Sequence, residues 1–252
     1  MVSGAAARAA GEAHGPGAGA PGTVTEAVYA RIRGDILLGM LRPGQKLKLD
    51  GMRGIYDASV STLRETLSRL VSDGLVSNEG QRGFQVVPAT LADLRDIIET
   101  RLLMEVHAAR RALARRDIDW EAALVAAYHK LSRVEALVEA DPDRHSVQLE
   151  AFNRGFHATL VAGCGSRWLT TFHGVMYDQS LRYRMLAFQV RDFPRDLSRR
   201  EHKEILDHAL ASNADALEKV LTAHITKGLD TYVEADLAKV ALKAAVGQAA
   251  GR

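Results

Sequence analysis

Apolar residues recur at intervals of three and four in two segments of the N-terminal third, which predicts two amphipathic helices. The stripe of the first comprises Val28, Ile32, Ile36, Leu37 and Met40, and that of the second comprises Leu63, Leu67, Leu70 and Val71. The turn at residues 42–44 ends the first helix, and Gly74 ends the second. Between them, Asp50 can cap a short helix that runs to Tyr56.

Three short segments of the same region have the pattern of strands. Residues 46–49 (KLKL) alternate polar and apolar, and residues 75–77 and 84–87 flank a charged, glycine-containing turn before Pro88. The order helix, strand, helix, helix, hairpin within about 65 residues is that of a winged helix-turn-helix. We therefore predict a winged helix-turn-helix DNA-binding domain over residues 23–88.

After Pro88 the pattern is helical throughout. Thr90 caps a helix whose apolar residues run from Leu91 to Ala109, and further helices are predicted over residues 119–139, 145–163, 167–190, 197–211 and 213–245. This predicts an all-α antiparallel bundle over residues 89–245, with Trp168 in its core. The fold class is therefore mainly α. Residues 1–22 and 246–252 are predicted to be disordered tails.

Composition narrows the possible locations of the protein. Hydrophobic residues make up 47% of the 252 residues and charged residues 25%, which is ordinary for a globular protein. No run of about 18 apolar residues would cross a membrane, and no signal peptide is evident. A single cysteine, Cys164, excludes an internal disulfide. We expect a cytoplasmic protein; its net charge of +2, which comes from the N-terminal third, is weak evidence for a polyanionic partner.

Histidines in the second domain suggest a metal site. Asn153 and His157 are four apart and share a helix face, His202 lies in a later helix, and His224 lies on the apolar stripe of the last one. Three imidazoles and an oxygen ligand from three helices make a plausible metal site. The alternative from spacing alone is that these histidines are satisfied core residues.

Several motifs together resemble one family of regulators. Residues 41–44 (LRPG), 59–67 (SVSTLRETL) and 73–76 (DGLV) resemble the DNA-binding domain of GntR-type bacterial transcription regulators. Residues 93–105 (DLRDIIETRLLME) resemble the first helix of the FCD ligand-binding domain of the FadR-like branch. The wing, residues 79–84 (EGQRGF), is most similar to that of carbon-starvation-induced regulators. The resemblance spans about residues 24–240.

The DNA contacts are expected mainly at the start of the second stripe helix. Its N-terminus suits a phosphate, and Arg64 can reach a guanine or a phosphate, a role that the resemblance also implies. The alternative for Arg64 is a surface ion pair with Glu65 or Asp57. Val60 and Thr62 stand where the family often has arginine and proline, which puts the usual operator sequence in doubt. The predicted DNA-binding residues are Lys46, Lys48, Arg53, Ser59, Ser61, Thr62, Arg64, Arg82 and Gly83.

The resemblance also implies a ligand set for the metal and an effector site beside it. Many FCD domains bind a divalent metal through an acid or amide four residues before a histidine and two later histidines, and Asn153, His157, His202 and His224 match that order. Zinc fits best, with nickel and manganese as alternatives. Arg101 is expected to bind the carboxylate of a small effector, with Glu105 as its alternative partner. Tyr177, Arg182, Tyr183 and Arg184 are expected to line the same cavity.

These expectations combine into a ligand-responsive DNA-binding regulator that is not an enzyme. A homodimer would bind a pseudo-palindromic operator, and a small carboxylate would change operator affinity, with repression as the expected direction. One alternative is an α-helical metalloenzyme that uses a His₃ site, although no HExxH motif or nucleotide-binding loop is present. The other is a winged-helix module that binds protein instead of DNA.

Overall fold

A computed structural model of the chain describes residues 22–78, 80, 83–115, 117–188 and 196–234. Three predictions fall outside these residues: almost all of the tail at 1–22, the tail at 246–252, and the end of the last helix up to residue 245. Arg82, predicted to contact DNA, also lies outside them. In the part of the chain described here, no helix has the length and apolar character needed to cross a membrane.

The N-terminal domain contains three helices and a small sheet. Its helices are α1 (Val24–Leu37), α2 (Leu49–Tyr56) and α3 (Val60–Ser72), and its strands are β1 (Lys46–Leu47), β2 (Val76–Asn78) and β3 (Phe84–Val86). The strands are antiparallel in the order β1-β3-β2, so β2 and β3 form the wing. The predicted winged helix-turn-helix is confirmed.

Local sequence explains where most of these elements begin. Thr23 and Glu26 form a capping box at the start of α1, and the Ser59 hydroxyl accepts a hydrogen bond from the Thr62 amide at the start of α3. The predicted cap at Asp50 is wrong, because Asp50 lies inside α2, which begins at Leu49 and has Lys48 as its N-cap. The strand predicted over 46–49 is consequently only two residues long.

The apolar periodicity also predicts the wrong environment for Met40. Helix α1 ends at Leu37, and Gly39 follows with a φ of 76°, a left-handed conformation that turns the chain away. Met40 is therefore 73% exposed instead of buried. The other four residues of that stripe lie in the core of the domain.

The rest of the described chain is helical, as predicted. The bundle consists of α4 (Leu91–Arg115), α5 (Ile118–Ala140), α6 (Pro142–Ala162), α7 (Arg167–Phe188), α8 (Asp196–Leu210) and α9 (Ala214–Glu234). Thr90 does cap α4, since its hydroxyl accepts from the Asp93 amide at 3.1 Å. The fold class, a winged helix-turn-helix followed by an all-α bundle, is confirmed. Trp168 was predicted in the core but is 59% exposed on α7.

Helix α7 connects the two domains. Leu181 and Met185, on its C-terminal half, belong to the apolar core of the winged helix. Asp178, one turn earlier, forms an ion pair with Arg33 of α1. The side-chain amide of Gln179 donates to the backbone carbonyl of Asp73 at 2.7 Å. The helix thus packs against the DNA-binding domain over about two turns, while Tyr183 on the same helix belongs to the bundle core.

Candidate metal centre and DNA-binding surface

Three histidines from three helices meet inside the bundle. His157 lies on α6, His202 on α8 and His224 on α9, and one ring nitrogen of each lies within 4.8 Å of the other two. The Nε2 atoms of His157 and His224 are 3.2 Å apart, and their rings stack at 17°. The structure therefore brings together the histidines that the sequence predicts.

Each of these imidazoles is oriented by a carboxylate on its Nδ1 atom. His157 contacts Glu105 at 2.5 Å, His202 contacts Glu135 at 2.7 Å, and His224 contacts Glu201 at 2.8 Å. A histidine that donates Nδ1–H to a carboxylate keeps its lone pair on Nε2, the arrangement common among metal-ligating histidines. Three Nε2 atoms are therefore left to face a cation.

Two side-chain atoms of the predicted ligand residues have no hydrogen-bond partner among the described residues. They are Oδ1 of Asn153, one turn before His157, and Nε2 of His202, and both are buried. A buried polar atom without a partner costs about 1–3 kcal/mol, so such atoms need a special reason. A divalent cation would satisfy both, and the donor set of one amide oxygen and three imidazoles suits it.

The ionisation states are those that a cation site requires. Burial lowers the pKa of His157 well below its usual range, and burial also lowers the pKa of His224 to about 4. Both rings are therefore neutral near pH 7. Burial alone would raise the pKa of Glu201, but the hydrogen bonds from His224 and Lys227 outweigh it and lower that pKa to about 2. The carboxylate that orients His224 is thus ionised.

Glu105 is the centre of a second network, of which the sequence predicted only the possible pair with Arg101. Its carboxylate contacts Nε of Arg101 at 2.8 Å, Nδ1 of His157 at 2.5 Å and Nε2 of His173 at 3.0 Å. Burial opposes ionisation, but Arg101 and His157 outweigh it and hold the pKa of Glu105 well below its usual range. The pair with Arg101 was foreseen from the four-residue spacing. No signal in the sequence points to the contact with His173.

Arg101 and Arg184, two of the predicted effector residues, both lie close to the ring of one tyrosine, Tyr177. The Arg101 guanidinium is 4.7 Å from the ring centre of Tyr177, and that of Arg184 is 4.5 Å from it. Arg101 is buried, and Arg184 forms an ion pair with Glu150 at 2.8 Å. The Tyr177 ring is also 5.8 Å from that of His157, so this cationic region adjoins the histidines.

Tyr183, the third predicted effector residue, lies nearer the DNA-binding domain. Its hydroxyl forms a hydrogen bond with Asp93 and accepts one from the Thr90 amide at 3.3 Å, at the start of α4. Arg182 contacts the same Asp93 and the carbonyl of Val87. These contacts join α7 to the chain segment between the domains, and an effector role for Tyr183 stays a prediction.

The predicted DNA-binding residues that the structure describes lie at the start of α3, on α2, in and after β1, and in the wing. Six are exposed, while Thr62 and Gly83 are half-buried; the exposed ones are Lys46, Lys48, Arg53, Ser59, Ser61 and Arg64. Arg64 makes no ion pair within the described residues, so the alternative pairing with Glu65 or Asp57 does not occur there. Gly83 has a φ of 81°, which the turn of the wing requires.

The surface in front of the α3 N-terminus is concave and polar. Arg53 and Ser59 line it together with Asp50 and Asp57. The Ser59 hydroxyl lies 2.8 Å from that of Ser61 and 2.9 Å from that of Thr62, so three hydroxyls cluster at this helix end. Hydroxyls, amides at a helix N-terminus and an arginine are the groups that contact DNA phosphates.

Known proteins resemble the chain over most of its length. Residues 24–86 match the family described as "Bacterial regulatory proteins, gntR family", and residues 96–227 match the FCD domain. The chain is 36% identical over 207 residues to the uncharacterized HTH-type transcriptional regulator BphR of Paraburkholderia xenovorans (strain LB400), which covers 82% of this chain and 84% of BphR. It is 34% identical over 158 residues to the HTH-type transcriptional repressor GlaR of Escherichia coli (strain K12), over 63% of this chain and 71% of GlaR.

Solved structures support the same fold. The E. coli protein McbR/YncC has a TM-score of 0.69 at 18% identity and covers 84% of this chain and 98% of its own. A transcriptional regulator from Rhodococcus sp. RHA1 has a TM-score of 0.67 at 20% identity, covering 83% and 97%. The resemblance noted in the sequence motifs is thus confirmed. The chain belongs to the GntR family of bacterial transcription regulators, as a DNA-binding regulator with an effector-binding FCD domain behind its winged helix.

Proposed function

We propose that this regulator is a repressor whose operator affinity changes when a small carboxylate binds in the FCD domain beside a divalent metal. The metal ligands would be Asn153, His157, His202 and His224. The observation that carries this proposal is the pair of buried, unpartnered atoms, Asn153 Oδ1 and His202 Nε2, beside two further Nε2 atoms. Repression is favoured because the relative GlaR is a repressor.

Zinc is the metal that this ligand set suits best. Three imidazoles with one oxygen form a common zinc environment, and nickel and manganese are the alternatives. An amide oxygen and metal-bound imidazoles are neutral ligands, so the cation would keep its charge, and when bound it would supply an attraction for a carboxylate. Glu105, Glu135 and Glu201 would hold the three rings in place.

Arg101 would hold the effector carboxylate from the other side. Its guanidinium is buried, and its Nε donates to Glu105 while Nη1 lies 3.5 Å from the Ser180 hydroxyl. The contact with Glu105 leaves donors of the same fork for a second carboxylate. Because Glu105 also holds His157, an effector on Arg101 would be linked to the metal centre through one side chain.

The DNA contacts would come from the start of α3, with support from the wing. Arg64 would contact a base or a phosphate, and Ser59, Ser61 and Thr62 would contact phosphates at the helix end. Lys46, Lys48 and Arg53 would contact the backbone on either side, and Gly83 would shape the wing that carries Arg82. Because the operator lies on the chromosome, we expect the protein in the cytoplasm.

A homodimer would present two such surfaces to a pseudo-palindromic operator, and GntR regulators typically form dimers. The candidate contact is a row of exposed apolar residues on α7. Trp168 and Phe172 stack at 5.7 Å, and Val175 lies one turn further on. Burial of this row against a second copy would remove it from water. Sedimentation of Phe172→Glu should then show a monomer, and an intact dimer would remove this row from the interface.

The metal is the part of the proposal to test first. Metal content of the purified protein should fall sharply in His202→Ala and stay unchanged in His129→Ala, which removes an exposed histidine of α5. Titration of the native protein with small mono- and dicarboxylates, followed by operator binding, then tests the effector. Full metal content in His202→Ala would refute the ligand set. Turnover of a substrate by the metal-loaded protein would instead favour the metalloenzyme alternative.

A further inference from the structure

A second cavity lies outside the histidine centre, in the cleft between α6 and α7. Its volume is about 400 Å³, which falls in the range of small-molecule sites. One wall is apolar, formed by Ala158, Val161 and Ala162 of α6, and the other carries His173 and Tyr177 of α7. Glu105 separates His173 from His157, so the cleft is distinct from the proposed metal centre.

Three polar groups along this cleft have unused hydrogen-bonding capacity within the described residues. The Tyr177 hydroxyl is buried and has no partner. His173 uses Nε2 on Glu105, which leaves Nδ1. Arg154 uses Nε and Nη2 on Asp178, at 2.8 and 3.0 Å, which leaves Nη1. A cation, two further hydrogen-bonding groups and an apolar wall together suit a compact organic anion.

The charge around Arg154 favours an anion as well. Asp178 has a buried carboxylate, 7% exposed, that pairs with Arg154 of α6 and with Arg33 of α1. Two guanidinium groups and one carboxylate leave this ion triad with one uncompensated positive charge. A carboxylate that accepts from Nη1 of Arg154 would balance that charge without breaking either existing pair.

We propose that the cleft between α6 and α7 binds a small monocarboxylate, with its carboxylate on Arg154 and its apolar part against Ala158 and Val161. Gly174 on α7 lies beside the Arg154 guanidinium, since a Cβ there would be 3.8 Å from its Nη2 atom, an ordinary van der Waals contact. The site takes its ligand independently of the metal.

The cleft is connected to the DNA-binding domain by Arg33. This residue lies on α1 and does not line the cavity, yet it shares Asp178 with Arg154. Removal of Arg33 would leave the Asp178 charge less neutralised and so weaken the attraction of Arg154 for an anion. By linkage, a ligand in the cleft would stabilise the α1–α7 contact. An effect on operator affinity rests on the proposed function, whereas binding in the cleft does not.

Calorimetric titration of the full chain with benzoate, isobutyrate and acetate tests the proposal, with benzamide as the uncharged counterpart of benzoate. We expect binding of at least one acid and none of benzamide. Arg154→Gln should weaken it by about tenfold or more, the usual effect of losing a charge-assisted hydrogen bond. Arg33→Gln should weaken it by about threefold through charge alone. Arg144→Gln, an exposed arginine of the same helix α6, is the matched control.

Two further measurements separate the cleft from the proposed metal centre. Ala162→Phe would fill the exposed rim of the cleft while leaving every charge in place, so it should also abolish binding. Chelation of the metal should leave binding in the cleft unchanged. Failure of all three acids to bind, full affinity in Arg154→Gln, or loss of affinity on chelation alone would each overturn the cleft site; the last would leave the proposed metal-centred function standing.

Discussion

The interiors of the two domains differ in kind. Among the described residues of the winged helix, Thr66 is the one buried side chain of the polar or charged class, and the rest of the core is aliphatic or aromatic. The FCD domain also has a large apolar core, but it buries two arginines, several carboxylates and three histidines in addition. Buried charges add little net stability, so their concentration in one domain indicates a site instead of a means of holding the fold.

The difference is sharpest at buried polar atoms that have no partner. In the winged helix, the Thr66 hydroxyl is one such atom, and it stands alone. In the FCD domain, Asn153 Oδ1 and His202 Nε2 belong to residues of the proposed metal ligand set, and His202 is one of three clustered histidines. An isolated unpartnered atom is a cost to stability, whereas unpartnered atoms on a proposed ligand set have a possible partner in a bound cation. Four substitutions test this contrast.

The largest effect is expected from Glu105→Ala. This change leaves Arg101 buried without its carboxylate and removes the acceptor of His157 and His173, so the free energy of unfolding should fall by about 3–5 kcal/mol. Urea denaturation measures it, with Glu99→Ala on an exposed turn of α4 as control. Glu105→Gln keeps one acceptor oxygen, so its free energy of unfolding should fall by less. Equal losses in the alanine and glutamine variants would mean that charge does not matter at this position.

Leu67→Ala should be the next largest. Leu67 is fully buried on α3, and removal of its side chain leaves a cavity that costs about 3 kcal/mol. Urea denaturation monitored by circular dichroism measures the change, and Ser68→Ala, exposed on the same helix, is the matched control. A loss below that of an ordinary surface substitution would show that the winged helix does not depend on its apolar core.

Thr66→Val should change stability in the opposite direction. Valine has nearly the same shape and removes a buried hydroxyl without a partner, so the melting temperature should rise by an amount equivalent to about 1 kcal/mol. Differential scanning calorimetry can measure this shift. A lower melting temperature would show that the hydroxyl has a partner, such as a bound water.

Arg64→Ala should leave the free energy of unfolding within about 0.5 kcal/mol, because its side chain is exposed and makes no ion pair in the described structure. Operator binding should nevertheless be lost, since its proposed role is in the DNA contact. Fluorescence anisotropy with operator DNA measures the affinity, and Glu65→Ala, exposed beside it, is the control. Unchanged affinity in Arg64→Ala would remove this arginine from the interface.

Sequence patterns predicted the winged helix well because its determinants are local. The stripe of α3 and the N-cap at Ser59 are set by neighbours a few positions away. The errors have equally local causes: the positive φ of Gly39 turns Met40 out to solvent, and Lys48, not Asp50, begins α2. The wrong prediction for Trp168 has another cause. The sequence pattern does not distinguish an exposed aromatic residue that could serve an interface from a buried one.

The candidate metal site could be predicted only in part from the sequence. Four-residue spacing places Asn153 and His157 together, and the helical pattern suggested His202 and His224 as further ligands, but only the family resemblance favoured this set over satisfied core histidines. The carboxylates that contact His202 and His157, those of Glu135 and Glu105, lie on helices far away in the chain, and no spacing relates them. The contact of His173 with Glu105 depends on how α4 and α7 pack, which apolar periodicity does not determine.

The packing of Leu181 and Met185 into the winged helix affects the order in which the two domains can fold during synthesis. Domains generally fold in the order in which they leave the ribosome. Here the N-terminal core is completed only after α4, α5 and α6 have been synthesised and α7 can dock. A fragment that ends at Pro88 would carry an apolar gap where α7 belongs. The boundary predicted at Pro88 therefore separates two functions. The residues that must fold together to complete the core of the DNA-binding domain include α7 of the second domain.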